Sequence, residues 1–361
     1  MEEKLTFMSD GLRLSAVLHV PEGRKPGQKL PAFIVLHGFV CSKDESHAEI
    51  QARMLEAMGY VALRFDFRCC GESEGERAQV RCFDQVADAK NALTFLQARE
   101  EVDPKQIGVL GHSFGAAVAV YAAGVDERFA CVISSCGWGH GERKFRGQHP
   151  TPEAWAKFTG LLEQGRKHKQ ETGKSMWISR FDAVPIPEHL RKNLSPKAIM
   201  EIPVETAWSM YNFRAEDVVA DIAPRPILFF HTANDSITPT EQSIRMYEKA
   251  GQPAELLLVT GTSHFPLSPA DAPRTKTILK GWLDKFIPSP LGQLAWRRPQ
   301  DRAASRRQPS RPMRATCSRR AALPQTMRKR PRGCWSGRTC GASNPTGSCA
   351  FRAMSRWSSR A

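Results

Sequence analysis

The chain contains no run of about 18 apolar residues, so no membrane-spanning helix is expected. No basic stretch feeds an apolar run behind Met1-Glu2-Glu3-Lys4, and a secretory signal is not expected either. CxxC pairs, HExxH and a dinucleotide-type GxGxxG are all missing; Gly71-Glu72-Ser73-Glu74-Gly75 comes nearest and has the wrong spacing. No metal and no organic cofactor is therefore implied. Acidic residues are almost absent from the C-terminal end: residues 291–361 hold Asp301 alone against 17 Lys and Arg. Residues 1–290 carry 35 basic and 36 acidic side chains, so the net charge of +15 belongs to the tail. Overall basicity thus makes no case for a nucleic-acid partner of the main domain.

Ten cysteines are present. Cys317, Cys334, Cys340 and Cys349 lie in the tail; Cys41, Cys69, Cys70, Cys82, Cys131 and Cys136 lie in a region long enough to need no staple. Reduced thiols in a cytoplasmic protein fit this usage.

What is present is a rhythm. Leu5 to Met8 and the alternating stretch Leu12 to Val20 flank Ser9-Asp10-Gly11 and read as a hairpin. Ala32 to Leu36 is continuously apolar, as in a strand covered on both faces. Helix Ala48–Met58, strand Tyr60–Phe65, helix Phe83–Arg99, strand Gln106–Leu110, helix Phe114–Ala123 and strand Ala130–Ser134 follow. Strands alternating with helices predict a mostly parallel sheet flanked by helices, an α/β fold. The rhythm breaks at 137–214, too long for a loop and rich in Trp and Pro, which predicts an inserted helical cap. It resumes with strand Pro226–Phe230, helix Thr240–Ala250, strand Glu255–Thr260 and helix Arg274–Phe286. The expected division is a core of 1–136 and 215–287, a cap of 137–214 and a basic, disordered tail of 288–361. The tail lacks aromatic interleaving and zinc spacing, so its charge is read as a non-functional extension rather than a nucleic-acid arm.

Gly111-His112-Ser113-Phe114-Gly115 has the G-x-S-x-G form between a strand and a helix, the context that lifts a serine hydroxyl clear of a sheet. A hydroxyl nucleophile needs a base, and the base an orienting carboxylate. His264 follows the strand ending at Thr260 and Asp235 follows the strand ending at Phe230, both at carboxyl ends, where sites in parallel sheets assemble. Asp221 precedes its strand, while Asp182 and Glu205 fall in the cap. The expected set is Ser113 as nucleophile, Asp235 as orienting carboxylate and His264 as base and acid. Oxyanion donors are assigned to the backbone N–H groups of Phe114 and Phe39. His140, Trp138 and Trp208 are the candidate substrate contacts. Phe145, Met176, Met200, Met210 and Tyr211 either line an acyl pocket or pack the cap.

These residues resemble the α/β-hydrolase superfamily over about residues 5–287. His37-Gly38-Phe39 is similar to its oxyanion motif and Gly111 to Gly115 to its nucleophile elbow. Asp66 to Ser73 is similar to its D-x-R-G-x-G-x-S stretch, with Cys69 where glycine is usual. The loops around Asp235 and His264 resemble its acid and histidine loops. The opening hairpin looks like the dienelactone-hydrolase, cinnamoyl-esterase and prolyl-oligopeptidase-like groups. The first typically uses cysteine, which the serine here departs from, and no propeller-sized domain precedes the hydrolase.

The resemblance implies a serine hydrolase of carboxylic esters working through an acyl-enzyme on a small-molecule substrate. The alternatives are a peptidase, thioesterase, lactonase or carbon–carbon (β-diketone) hydrolase of the same fold. A non-enzymatic member and a nucleic-acid-associated protein are the readings from other classes. Oligomeric state, a homo-oligomer included, is not legible.

Overall fold

The computed structural model describes residues 1–191, 194, 198–260, 264–266 and 272–292. Its centre is an eight-stranded sheet built from β1 (Glu2–Ser9), β2 (Leu12–His19), β3 (Leu30–Leu36), then helix α1 (Ser46–Ala57), β4 (Val61–Phe65), helix α2 (Cys82–Gln97), β5 (Val102–His112), helix α3 (Phe114–Val125) and β6 (Val132–Ser135). The insertion runs through α4 (Gly141–Gln148), the long α5 (Pro152–Thr172), β7 (Trp177–Ser179), α6 (Arg180–Ala183), α7 (Glu188–Arg191) and β8 (Glu201–Pro203), and is closed by α8 (Val204–Asn212). Two 3₁₀ turns lead back to β9 (Ile227–Thr232), α9 (Glu241–Lys249), β10 (Ala254–Val259) and α10 (Ala272–Phe286).

Strand order is β1-β2-β4-β3-β5-β6-β9-β10. Within this sheet β1–β2 and β2–β4 pair antiparallel, and β4, β3, β5, β6, β9 and β10 pair in parallel; β7 and β8 form a separate antiparallel pair in the insertion. The chain leaves β3 first for β4 on one side and then for β5 on the other. That reversal opens a crevice at the carboxyl ends of β3 and β5, the place where parallel sheets hold ligands. All seven residues of β3 are buried because helices cover both faces. Alternation sorts them: Ile34 and Leu36 join the core under α2 and α3, while Phe33 and Val35 join the one under α1 and α10. The parallel sheet with a helical cap expected from the rhythm of the sequence, and the α/β-hydrolase architecture that the resemblance implied, are what the chain adopts.

The cap is tied to the core by polar contacts as well as packing. Thr206 Oγ1 donates to Ala78 O (3.0 Å) and accepts from Val80 N (3.2 Å), and Ser209 Oγ accepts from Cys82 N (2.8 Å). Within the cap, α5 and α8 approach so closely at Gly165 that a Cβ there would overlap the Val204 side chain. The loop with Cys69 adopts φ +67° at that residue, a left-handed conformation that glycine reaches without strain. The usual glycine at this place in the family is accounted for by that angle. Composition placed the tail at 288, but residues 288–292 pack on the core: Ser289 Oγ donates to Gly59 O at 2.6 Å and is buried. The rest of the expected disordered tail, 293–361, lies outside the described residues.

Candidate active site

The turn between β5 and α3 carries Ser113 at φ +54°, ψ −112°, a conformation that costs a non-glycine residue of order 1–3 kcal/mol. Its geometry follows from its neighbours. A Cβ at Gly111 would land on the Gly115 carbonyl, and one at Gly115 would meet the carbonyls of Leu36 and His37. Only glycine at both places lets α3 start directly against β3 and β5. Ser113 N donates to Ser135 O (2.8 Å), which pins the turn to the end of β6. The amide of Phe114, in the first turn of α3, has no intrahelical acceptor.

Asp235 sits in the loop after β9 with its side chain fully buried. Its Oδ1 accepts from the amides of Ile237 (2.8 Å) and Thr238 (2.9 Å), and its Oδ2 accepts from His264 Nδ1 at 2.6 Å. His231 Nε2 lies 3.3 Å from the same Oδ2. Burial works against the carboxylate charge, but the imidazoles of His264 and His231 and the bonds they donate outweigh it. The carboxyl is held well below the usual carboxylate range. His264 is thereby fixed with its proton on Nδ1 and its Nε2 available as a base. Asp235 and His264, which the sequence offered as orienting carboxylate and base, come from two different loops and lie 2.6 Å apart.

A third group joins them. Cys136 follows β6 at φ +50°, and its amide donates to Phe230 O (2.9 Å) across the β6–β9 pair. Its Sγ, a carboxylate oxygen of Asp235 and a ring nitrogen of His264 all lie within 4.8 Å of one another. Burial first, and then the Asp235 charge, push this thiol well above its ordinary value, so it rests protonated. Sγ donates to Thr232 Oγ1 at 3.8 Å.

Ser113, His264 and Phe39 line one cavity of about 360 Å³ at the carboxyl edge of the sheet. Its walls are mostly apolar: Ile50 from α1, Val184, Ile186 and Leu194 from the cap, Ile237 and Phe265 from the acid and histidine loops. Three polar residues that sequence reading passed over also line it, namely His47, Glu45 and Arg180. His112 and His47 pack near the base with their rings tilted, the centroids 4.9 Å (His112–His264) and 5.0 Å (His47–His112) apart. Burial and the neighbouring imidazoles keep both uncharged near neutral pH; His47 is pushed down to about 3 and His112 well below its ordinary value. A row of neutral rings beside His264 leaves the base without a competing positive charge.

The three expected substrate contacts lie elsewhere. His140 caps α4, its Nδ1 accepting from Arg143 N (3.1 Å), while its amide donates to Gln242 Oε1 (3.1 Å). Trp138 is buried against Phe213, with ring centroids 5.7 Å apart. Trp208 packs on Tyr211 in α8. None of the three lines the cavity. Proximity in sequence to the end of β6 suggested His140 and Trp138, but the chain turns away into α4 within five residues of that strand.

Compared with known proteins, residues 28–268 match the profile of the family described as serine aminopeptidase, S33. The chain belongs to this family of α/β-hydrolases. A thiohydrolase of Eupenicillium brefeldianum is 26% identical over 79% of this chain and 92% of its own length. An acyltransferase of Aspergillus calidoustus is 24% identical over 74% of this chain and 89% of its own. The crystal structure of a hypothetical protein of Pseudomonas aeruginosa superposes with a TM-score of 0.69 at 25% identity, covering 80% of this chain and 94% of that one.

Two expectations need correcting. The reading as a serine esterase, a serine hydrolase cleaving carboxylic esters, is overturned by the Cys136–Asp235–His264 cluster and by relatives named thiohydrolase and acyltransferase. The cytoplasmic placement gives way to a coarser fact: among the described residues no helix is long and apolar enough to cross a membrane.

Proposed function

We propose that this family member is an acyl-transfer enzyme that takes its acyl group from a small thioester and passes it to water or a second nucleophile. The observation that carries the proposal is the thiol–imidazole–carboxylate cluster beside an apolar cavity of acyl-chain character. Relatives named thiohydrolase and acyltransferase support the same reaction class.

In this reading His264 Nε2 takes the Cys136 proton as Sγ attacks the thioester carbonyl, and Asp235 stabilises the imidazolium that forms. Collapse of the tetrahedral species expels the substrate's thiolate, which takes the proton back from His264. Water, deprotonated by the same imidazole, then attacks the acyl-enzyme; the acyl–Sγ bond breaks, the Cys136 thiolate recovers the proton from His264, and the acid is released. The amides of Phe39 and Phe114 are the proposed oxyanion donors, each worth roughly 3–4 kcal/mol in the transition state. The high resting position of the thiol makes proton removal concerted with attack, so the step depends wholly on the base.

One observation favours a second reading of the acyl carrier: Ser113 lines the cavity, and Cys136 does not. There the Ser113 hydroxyl accepts the acyl group from the same thioester with the same base. Rapid quenching after mixing with an acyl thioester, then peptide mass mapping, separates the two. The acyl mass on Cys136, abolished in Cys136→Ala, supports the first reading. The mass on Ser113, abolished in Ser113→Ala, supports the second. An enzyme that neither releases thiol nor becomes acylated would refute the proposal itself.

A further inference from the structure

Arg180 stands out among the groups the mechanism does not use. It comes from α6 of the cap, is 3% exposed, and lines the same cavity as Ser113 and His264. Its Nη1 donates to Ile199 O (3.1 Å) and its Nη2 to Phe39 O (3.3 Å), both neutral carbonyls, and the Cys41 thiol, which burial keeps protonated, is a further side-chain partner. Nε is buried with no partner, and no carboxylate lies within ion-pair distance of the guanidinium among the described residues. Glu45, also on the cavity wall, acts on it only through space. Burying a cation without a counter-charge costs several kcal/mol unless something else compensates it. Two carbonyl bonds and an uncharged thiol compensate only part of that cost, in a cavity otherwise walled by Val184, Ile186 and Ile237. Guanidinium also presents a planar fork of donors suited to two oxygens of one anionic group.

Building on the acyl-transfer reading, we propose that Arg180 recognises a carboxylate on the acyl portion of the substrate. The preferred donors are then half-thioesters of dicarboxylic acids, and Arg180 is the specificity-determining residue. The apolar walls take the methylene chain, the carboxylate end meets the guanidinium, and the thioester carbonyl reaches the base. Glu45 opposes this binding by its charge, so its removal strengthens it.

The test uses two readouts on the full chain. The first is turnover of succinyl, glutaryl and adipyl thioesters of N-acetylcysteamine against methyl-ended acyl thioesters of equal length. The second is calorimetric binding of the corresponding half-amides, which are not turned over. A charge-assisted pair at this site predicts about tenfold preference for the best carboxylate-ended ligand over its neutral match. Arg180→Gln brings that ratio below about twofold, Arg180→Lys keeps part of it, and Glu45→Gln raises it. Thermal melting of each variant shows that it is folded. A wild-type ratio near one, or a ratio unchanged in folded Arg180→Gln, overturns the assignment. Charge-selective binding without thioester turnover would uphold the Arg180 site and refute acyl transfer; turnover without charge preference would do the reverse.

Discussion

Replacing His264 with alanine is expected to lower kcat/KM on an acyl thioester by about 10⁴-fold or more, with the protein still folded. The size follows from the resting state of the nucleophile. The Cys136 thiol is pushed well above its ordinary value by burial and by Asp235, and a serine hydroxyl is less acidic still. Neither attacks at neutral pH unless a base removes its proton in the same step, and among the described residues of the cavity wall His264 is the imidazole that a buried carboxylate orients. His112 and His47 cannot substitute, because burial holds them far below neutrality as bases. Folding should survive because Asp235 keeps its two amide donors and the His231 contact when the imidazole is gone. Thiol release measured by absorbance, beside a melting curve, checks both halves. A rate within tenfold of wild type would remove His264 from the chemistry.

Asp235→Asn is expected to cost nearly as much, about 10³–10⁴-fold in kcat, for a different reason. Asparagine keeps an oxygen for the amides of Ile237 and Thr238, so the loop retains its shape. Its NH₂ then faces His264 Nδ1 and forces that nitrogen to accept. The ring proton moves to Nε2, and the base becomes a donor where an acceptor is required. Loss of the negative charge also leaves the imidazolium of the transition state without a partner. Binding should change little, so KM stays near its wild-type value while kcat falls. Equal falls in affinity and kcat would point to a loop that has collapsed instead.

The sheet was legible because its signals are local. Phe33 to Leu36 is apolar without interruption because β3 is covered on both faces, and Gly111 and Gly115 flank Ser113 because any larger residue would collide with a backbone carbonyl. Asp235 and His264 were legible because each follows its own strand at the carboxyl edge. Cys136 follows the strand Val132–Ser135 in the same way, yet was passed over. A buried cysteine ordinarily behaves as a small apolar side chain. Nothing in the linear order shows that β6 lies beside β9, which is what carries Cys136 to Asp235, 99 positions further along. Arg180 was hidden for a related reason: the cap has no sustained periodicity, so a charged residue there reads as solvated surface until the fold buries it. His140 and Trp138 show the converse failure, nearness in sequence that the turn into α4 undoes.

The most direct measurement compares kcat/KM of the wild-type enzyme on an acyl thioester and on the oxygen ester of the same acyl group, matched for their uncatalysed hydrolysis rates. Acyl transfer from thioesters predicts a preference of roughly 100-fold for the thioester, about 2.7 kcal/mol in transition-state energy. Equal rates, or faster turnover of the oxygen ester, would contradict it.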